Sequence, residues 1–217
     1  MRFRSIVLPL ALIAAVTSTG GCVVAIGGAA LGSAMVLSDR RSTGIQVEDA
    51  EIEHRVNDVI TQRFGTATHV DVASYNQRVL LTGNALSAAD RAEIERLAAG
   101  CRGVRQVINE IRVGTYGGVR SFLADTELAG KVRSALLEQK TLPGGVIQVV
   151  CSDGTVYLMG LVGAQEAQTA ESAVQRVSGV RRVVALFEVL TDAQLAQYRR
   201  GTAQNPSAGP AAVGSGQ

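Results

Sequence analysis

Few residues in this chain have the type and spacing that chemistry requires. Both histidines stand near a carboxylate: His54 four residues before Asp58, at helical spacing, and His69 two before Asp71, at strand spacing. Either pair offers two ligands for a metal or a short proton relay, whereas a useful metal site needs three or more converging ligands. Cysteines stand at positions 22, 101 and 151. No histidine joins them in a nucleophile pattern, and the sequence carries neither a G-x-S-x-G nor a P-loop signature. It therefore predicts no catalytic residue, no metal site and no cofactor, and it reads His54 and His69 as solvated surface. What remains is binding.

Cys22 is the thiol with a context. Arg2 and Arg4 precede an apolar run from Ile6 to Val16 interrupted by Pro9, and the small residues Thr17 to Gly21 follow. That is the layout of a secretory signal, and the run is too short to span a bilayer. The "TGGC" at Thr19 to Cys22 resembles a bacterial lipobox, with Thr where an aliphatic residue is expected. The resemblance implies a mature chain beginning at Cys22, with diacylglycerol on its sulfur and an acyl group on its amine. Several acyl chains anchor far more firmly than one. Val23, rather than Asp, then implies transfer to the outer membrane, facing the periplasm. A second reading joins this stretch to Val23 through Leu37, with Gly28 and Gly32 as a GxxxG, into one uncleaved membrane helix; Pro9 and the small residues interrupt such a helix where it should be strongest. Export would place Cys101 and Cys151 in an oxidising compartment, where a bond between them would staple one half of the chain to the other. Their alternative is two separate half-buried thiols packing as small apolar groups.

Removal of Arg2 and Arg4 with the signal takes the 21 basic residues to 19, against 19 acidic, a net charge of zero. Residues 49–113 carry 8 Arg against 9 acids and residues 125–189 carry 6 basic against 7 acidic. A protein that neutralises many phosphates needs a basic excess, so nucleic acid is excluded as a partner.

The elements that would position any binding residue are written twice. Ile52, Val56 and Ile60 correspond to Leu128, Val132 and Leu136, and Val79, Leu81 and Gly83 to Val156, Leu158 and Gly160. In the first copy a helical period through Phe64, with Glu48, Asp49 and Glu51 placed near its start for the helix dipole, precedes two stretches of period two around Val70, Val72, Val79 and Leu81. Ser87 with Asp90 opens a second helix, and Val104 to Val113 closes the unit as a strand. In the second copy Ser152-Asp153-Gly154 is a tight hairpin turn. The fold class is α+β: two tandem small αββαβ domains, each a three-stranded sheet with two helices on one face, leaving the other face for a partner. The divisions expected are a signal at 1–21, a lipidated Cys and flexible tether at 22–47, domains at 48–114 and 125–191 joined by a linker at 115–124, and a short helix and disordered tail at 192–217. "SDRRSTG", from Ser38 to Gly44, reads as part of that tether.

The two copies of a hairpin with "V-x-L-x-G" and a closing "G-V-x-x-V-x-N-x-I-x-V" resemble tandem BON domains. Gly103, Val104, Val107, Asn109, Ile111 and Val113 fit the closing motif; in the second copy Ala185 replaces the Asn. "DRRSTGIQVED", "NEIRVG", "KVRSALL" and "VYLMGLV" are similar to the dual-BON outer-membrane lipoproteins associated with cell division and envelope stress. The resemblance implies a protein that engages anionic phospholipid (phosphatidylglycerol or cardiolipin) through its second domain and supports the envelope. A helix meeting such a surface must present cations beside apolar groups. On the helix expected over Thr126 to Gln139, Leu128, Val132, Ala135 and Leu136 form the inward stripe. The lipid-binding candidates are then Lys131, Ser134, Leu137 and Lys140, with Phe122 and Leu123 before the helix and Leu142 after it. Arg176, Arg181 and Arg182 form a second basic group, read as solvated. The alternatives are a scaffold whose exposed sheet faces or edges dock an envelope or peptidoglycan-remodelling protein, and a stress-protective periplasmic chaperone.

Overall fold

The structure is a computed structural model and describes residues 39–65 and 68–204. The signal, Cys22, the Gly28/Gly32 pair and the tail beyond Gln204 lie outside the described residues. In chain order the elements are α1 (Thr43–Phe64), β1 (His69–Tyr75), β2 (Arg78–Ala85), α2 (Ala88–Ala99), β3 (Gln106–Asn109) and β4 (Arg112–Val113). They continue with α3 (Gly118–Leu137), β5 (Ile147–Ser152), β6 (Thr155–Gly163), α4 (Ala164–Gln175), β7 (Arg182–Leu190) and α5 (Asp192–Gln204). Each half is the expected αββαβ unit. β1 and β2 form an antiparallel hairpin, and β3 returns through α2 to lie parallel to β2; β5, β6 and β7 repeat this order. In the first sheet the closing strand is broken, so that β4 pairs with β2 beyond β3.

Local chemistry explains the boundaries. Ser42 caps α1, its Oγ accepting from the Ile45 amide at 3.3 Å, so the helix starts earlier than the acids suggested. Glu48, Asp49 and Glu51 therefore do not serve the dipole of the first turn; Glu48 and Glu51 both bind Arg55. Ser87 Oγ accepts from the Asp90 amide at 3.0 Å and opens α2. In the first hairpin turn Asn76 and Gln77 adopt φ of 53° and 64°, and in the second Asp153 and Gly154 adopt 47° and 73°. Positive φ at both central residues matches the right-handed twist of the strands but disfavours a Gln. Asp49 offsets that cost: its carboxylate accepts from the Asn76 and Gln77 amides at 2.8 and 2.7 Å and from Ser74 Oγ at 2.7 Å. Asp125, its counterpart, accepts from the Asp153 and Gly154 amides at 2.9 and 3.1 Å. The glycine of each V-x-L-x-G is fixed by a close approach, since a Cβ on Gly83 would strike the His69 carbonyl and one on Gly160 the Val146 carbonyl.

Each domain has a core between its helices and the inner face of its sheet. Ile52, Val56 and Ile60 of α1 meet Val79 and Leu81 of β2 with Ile94 and Ala98 of α2. Leu128, Val132 and Leu136 of α3 meet Val156 and Leu158 of β6 with Ala170 and Val174 of α4. The apolar part of each outer face is not left for a partner. Ala73, Tyr75 and Leu80 of the first sheet pack on Tyr157, Met159 and Leu161 of the second, with Ile108, Val150, Val184 and Leu186 around them. The sequence expectation of exposed sheet faces is thus corrected, because the apolar residues on the outer positions of β2 and β6 find their burial in each other. Consequently β2 and β6 are buried on both faces over nearly their whole length.

The segment expected as flexible tether is also folded from Asp39 onward. Arg40 is 6 % exposed and reaches the second domain, where its guanidinium grips Glu166 by two bonds of 2.6 and 2.7 Å and donates to the Leu161 carbonyl at 2.7 Å. Its neighbour Arg41 turns to the first domain, pairing with Asp49 at 2.8 Å and lying 3.9 Å over the Tyr75 ring. The expected linker at 115–124 is likewise helical from Gly118 onward, where α3 begins.

Candidate membrane-facing site

Helix α3 is amphipathic in an unusual sense, since it carries apolar residues on both sides. Leu128, Ala129, Val132 and Leu136 are buried against the second sheet. On the solvent side Val119, Phe122, Leu123 and Leu137 stand 75, 59, 60 and 54 % exposed. Val119 and Leu137 lie about five turns apart and share one direction, with Leu123, Gly130 and Ser134 between them along the same stripe. A soluble helix gains nothing by presenting four large apolar side chains to water, so this stripe is the candidate contact surface.

Cations border the stripe. Arg120, Lys131, Arg133 and Lys140 are all exposed. Lys131 is paired with Glu127 at 2.6 Å one turn away, and that hydrogen bond together with the lysine's charge lowers the Glu127 carboxyl below its usual range. Arg120 and Lys140 have no ion-pair partner among the described residues. Of the residues expected from sequence, Phe122, Leu123, Lys131, Ser134, Leu137 and Lys140 are all exposed on α3 and at its C-terminal end, with Phe122 and Lys131, nine residues apart, on opposite flanks of the row. Leu142 does not belong with them: it is 9 % exposed and packs in the second core. The chain turns after Gln139, whose backbone carbonyl accepts from the Leu142 amide, and this folds Leu142 back beneath the helix. Val119 was missed because the helix was expected to begin at Thr126. The signal lay in the spacing of Val119, Phe122 and Leu123, which already has a helical period.

The other chemistry-bearing residues are placed elsewhere. His54 is 79 % exposed at its side chain and meets Asp58 at 3.5 Å on α1, and His69 stacks on Tyr116. Among the described residues no group of three His, Cys, Asp or Glu converges as a metal site. Cys101 and Cys151 are free thiols, one against each helix-side core, so the candidate bond between them is not formed. The domains meet through their outer sheet faces, which separates the two thiols. Burial raises both above the ordinary thiol range, Cys151 to about 11, with the Asp125 charge adding to the effect. Of the second basic group Arg182 reaches the first domain, pairing with Glu110 at 2.7 Å, while Arg181 approaches Asp153 within its own domain.

This architecture, with the sequence that builds it, defines a class. The BON domain family matches residues 48–115 and 124–191, so the chain belongs to that family and carries two of its domains in tandem. Among characterised proteins it is similar to the outer membrane lipoprotein DolP of Haemophilus influenzae, 30 % identical over 172 residues, covering 78 % of this chain and 89 % of the relative. It is also similar to a 21 kDa hemolysin of Actinobacillus pleuropneumoniae, 31 % identical over 148 residues, covering 67 and 76 % of the two chains. The osmotically-inducible protein Y of Escherichia coli is 27 % identical over 150 residues, covering 67 and 75 %.

Proposed function

We propose that this chain is an envelope lipoprotein, held at the outer membrane through Cys22 and facing the periplasm, whose second BON domain binds anionic phospholipid along α3. Likeness to an outer membrane lipoprotein over most of both chains supports the address. The observation that carries the lipid reading is the exposed row of Val119, Phe122, Leu123 and Leu137 with cations along its border. Apolar side chains of this size enter the acyl boundary while Lys and Arg meet lipid phosphates, each basic residue contributing about 1 kcal/mol near an anionic surface. Bound in this way, the protein supports the envelope barrier and cell division without catalysis.

The test is co-sedimentation of residues 38–217, lacking the anchor, with vesicles of rising phosphatidylglycerol or cardiolipin content at low and moderate salt. Binding that grows with anionic lipid and weakens with salt is expected. Absence of binding at every composition would reduce the membrane contact to the acyl anchor.

A further inference from the structure

The apolar packing between the sheets uses only part of the outer face of the first domain. Beyond Leu80, β2 turns Thr82 and Asn84 to that face; Asp71 stands opposite Thr82, and both His69 and Arg112 stand opposite Asn84. Here the domains part, and a cleft of about 360 Å³ opens between β1 and β2 on one side and α3 and β5 on the other. Asp71, Asn84, Arg112, Tyr116, Phe122 and Arg133 line it. That volume is at the small end of ligand pockets.

Three of these groups are unspent. Asn84 is 9 % exposed, and its side chain has no hydrogen-bond partner among the described residues. Its polar atoms open onto the cleft rather than being sealed from water, so the amide is free to exchange hydrogen bonds with whatever enters. Asp71 has no ion-pair partner among the described residues, and Arg133 makes only a long 3.4 Å bond to the Val149 carbonyl. Arg112, by contrast, is committed to Asp153. Tyr116, held by its stack on His69, and Phe122 add aromatic walls. β1 and β5, the outer strands of their sheets, border the opening and suit an extended ligand.

We propose that this cleft binds a short peptide with a free ammonium and a free carboxylate. The ammonium meets Asp71, a peptide amide exchanges hydrogen bonds with Asn84, and the carboxylate lies against the Arg133 guanidinium. The unpaired Asp71 and Arg133 and the unbonded amide match that ligand better than a phosphate, which Asp71 and Asp125 would repel, or a purely apolar guest, which would leave Asn84 without a partner.

The probe is tri-alanine, titrated calorimetrically into residues 38–217 beside its N-acetylated and C-amidated forms. Saturable binding of the free tripeptide is expected, with each blocked form weaker by about tenfold or more, the size of one lost charged hydrogen bond. Asp71→Asn should weaken the free peptide to the level of the acetylated one and leave that form unaffected. Arg133→Gln should do the same for the amidated form. Thermal melts establish that both variants are folded, and Asn84→Ser, which keeps a polar group, is a milder second variant expected to weaken all three forms. No saturable binding, or equal binding of the three forms, overturns the proposal. Vesicle binding by Asp71→Asn should stay at the parent level, so failure here is distinguishable from failure of the lipid reading.

Discussion

At Asp49 one carboxylate, 2 % exposed, accepts from Ser74 Oγ, from the Asn76 and Gln77 amides and from Arg41. Truncating one partner of a buried charged network leaves the others unpaired, which costs more than the network contributes when intact. Asp49→Ala should therefore lower stability by about 3 kcal/mol or more in chemical denaturation. Asp125→Ala, at a half-buried site with two amide donors, should cost less, about 1–2 kcal/mol. This grip was legible in the sequence only as the Asp that opens each copy; its role depends on a turn that stands 27 and 28 residues further along. The thiols make a second test. Because burial favours the neutral form, the native chain holds the Cys151 proton up to about pH 11, above the ordinary value of 9.0. A raised native value gives stability that is present below the unfolded value and lost as pH rises through the native one. Stability should thus fall between about pH 9 and 11, and Cys151→Ser should flatten that fall. At pH 8 alkylation of Cys151 by iodoacetamide should be much slower than in denaturant, and non-reducing gels should show no shift for the Cys101→Ser, Cys151→Ser pair.

Helix α3 serves two masters at the element scale, with Leu128, Val132 and Leu136 turned to the core and Val119, Phe122, Leu123 and Leu137 turned to solvent. The two sides predict different outcomes for substitutions of similar chemistry. Val119→Ser, Leu123→Ser and Leu137→Ser together should abolish vesicle binding with little change in melting temperature, since exposed apolar groups contribute little to folding. Val132→Ala on the other side should cost about 1–3 kcal/mol and leave the residual vesicle preference of the folded fraction intact. Lys131 and Lys140 can be separated in the same assay: Lys131 already has Glu127, so Lys140→Gln should reduce binding more than Lys131→Gln. Equal losses would mean that the Glu127 pair opens on the membrane. The inward stripe of α3 was readable from period alone. Leu142 was misplaced because it lies past the helix, where a periodic reading has no purchase and a single turn decides whether a leucine faces in or out.

The whole molecule is two sheets packed outer face to outer face and closed at one end by the Asp39–Arg41 segment, whose two guanidinium groups bind different domains. Arg105–Glu188, Arg112–Asp153 and Arg182–Glu110 cross the rim, each partly exposed and individually weak. The buried Arg40–Glu166 pair differs, because Arg40→Ala would take the bidentate partner from a largely buried carboxylate that keeps only its remaining bonds, such as that from the Gly163 amide. That variant should lose about 3 kcal/mol or more, and Met159→Glu within the packed faces should separate the domains. Small-angle scattering should report a larger radius of gyration for Met159→Glu, with each domain retaining its helical circular dichroism. An unchanged radius would mean that the sheet faces do not hold the halves together. The sequence by itself determined the duplication, the αββαβ order and the inner cores, because each of these rests on local periodicity, turn chemistry and caps that short stretches carry complete. Its continuous apolar runs "VLL" in β2 and "VYLMGLV" in β6 also held the signal of strands covered on both faces, though not of what covers them. Only the tertiary structure decided that each sheet covers the other, that Arg40 and Arg41 belong to the fold, that Cys101 and Cys151 stay apart, and that Asp71, Asn84 and Arg133 share one cleft. All of these join residues distant in the chain, and their pairing is set by how two independently folded cores dock, a choice that no local pattern encodes.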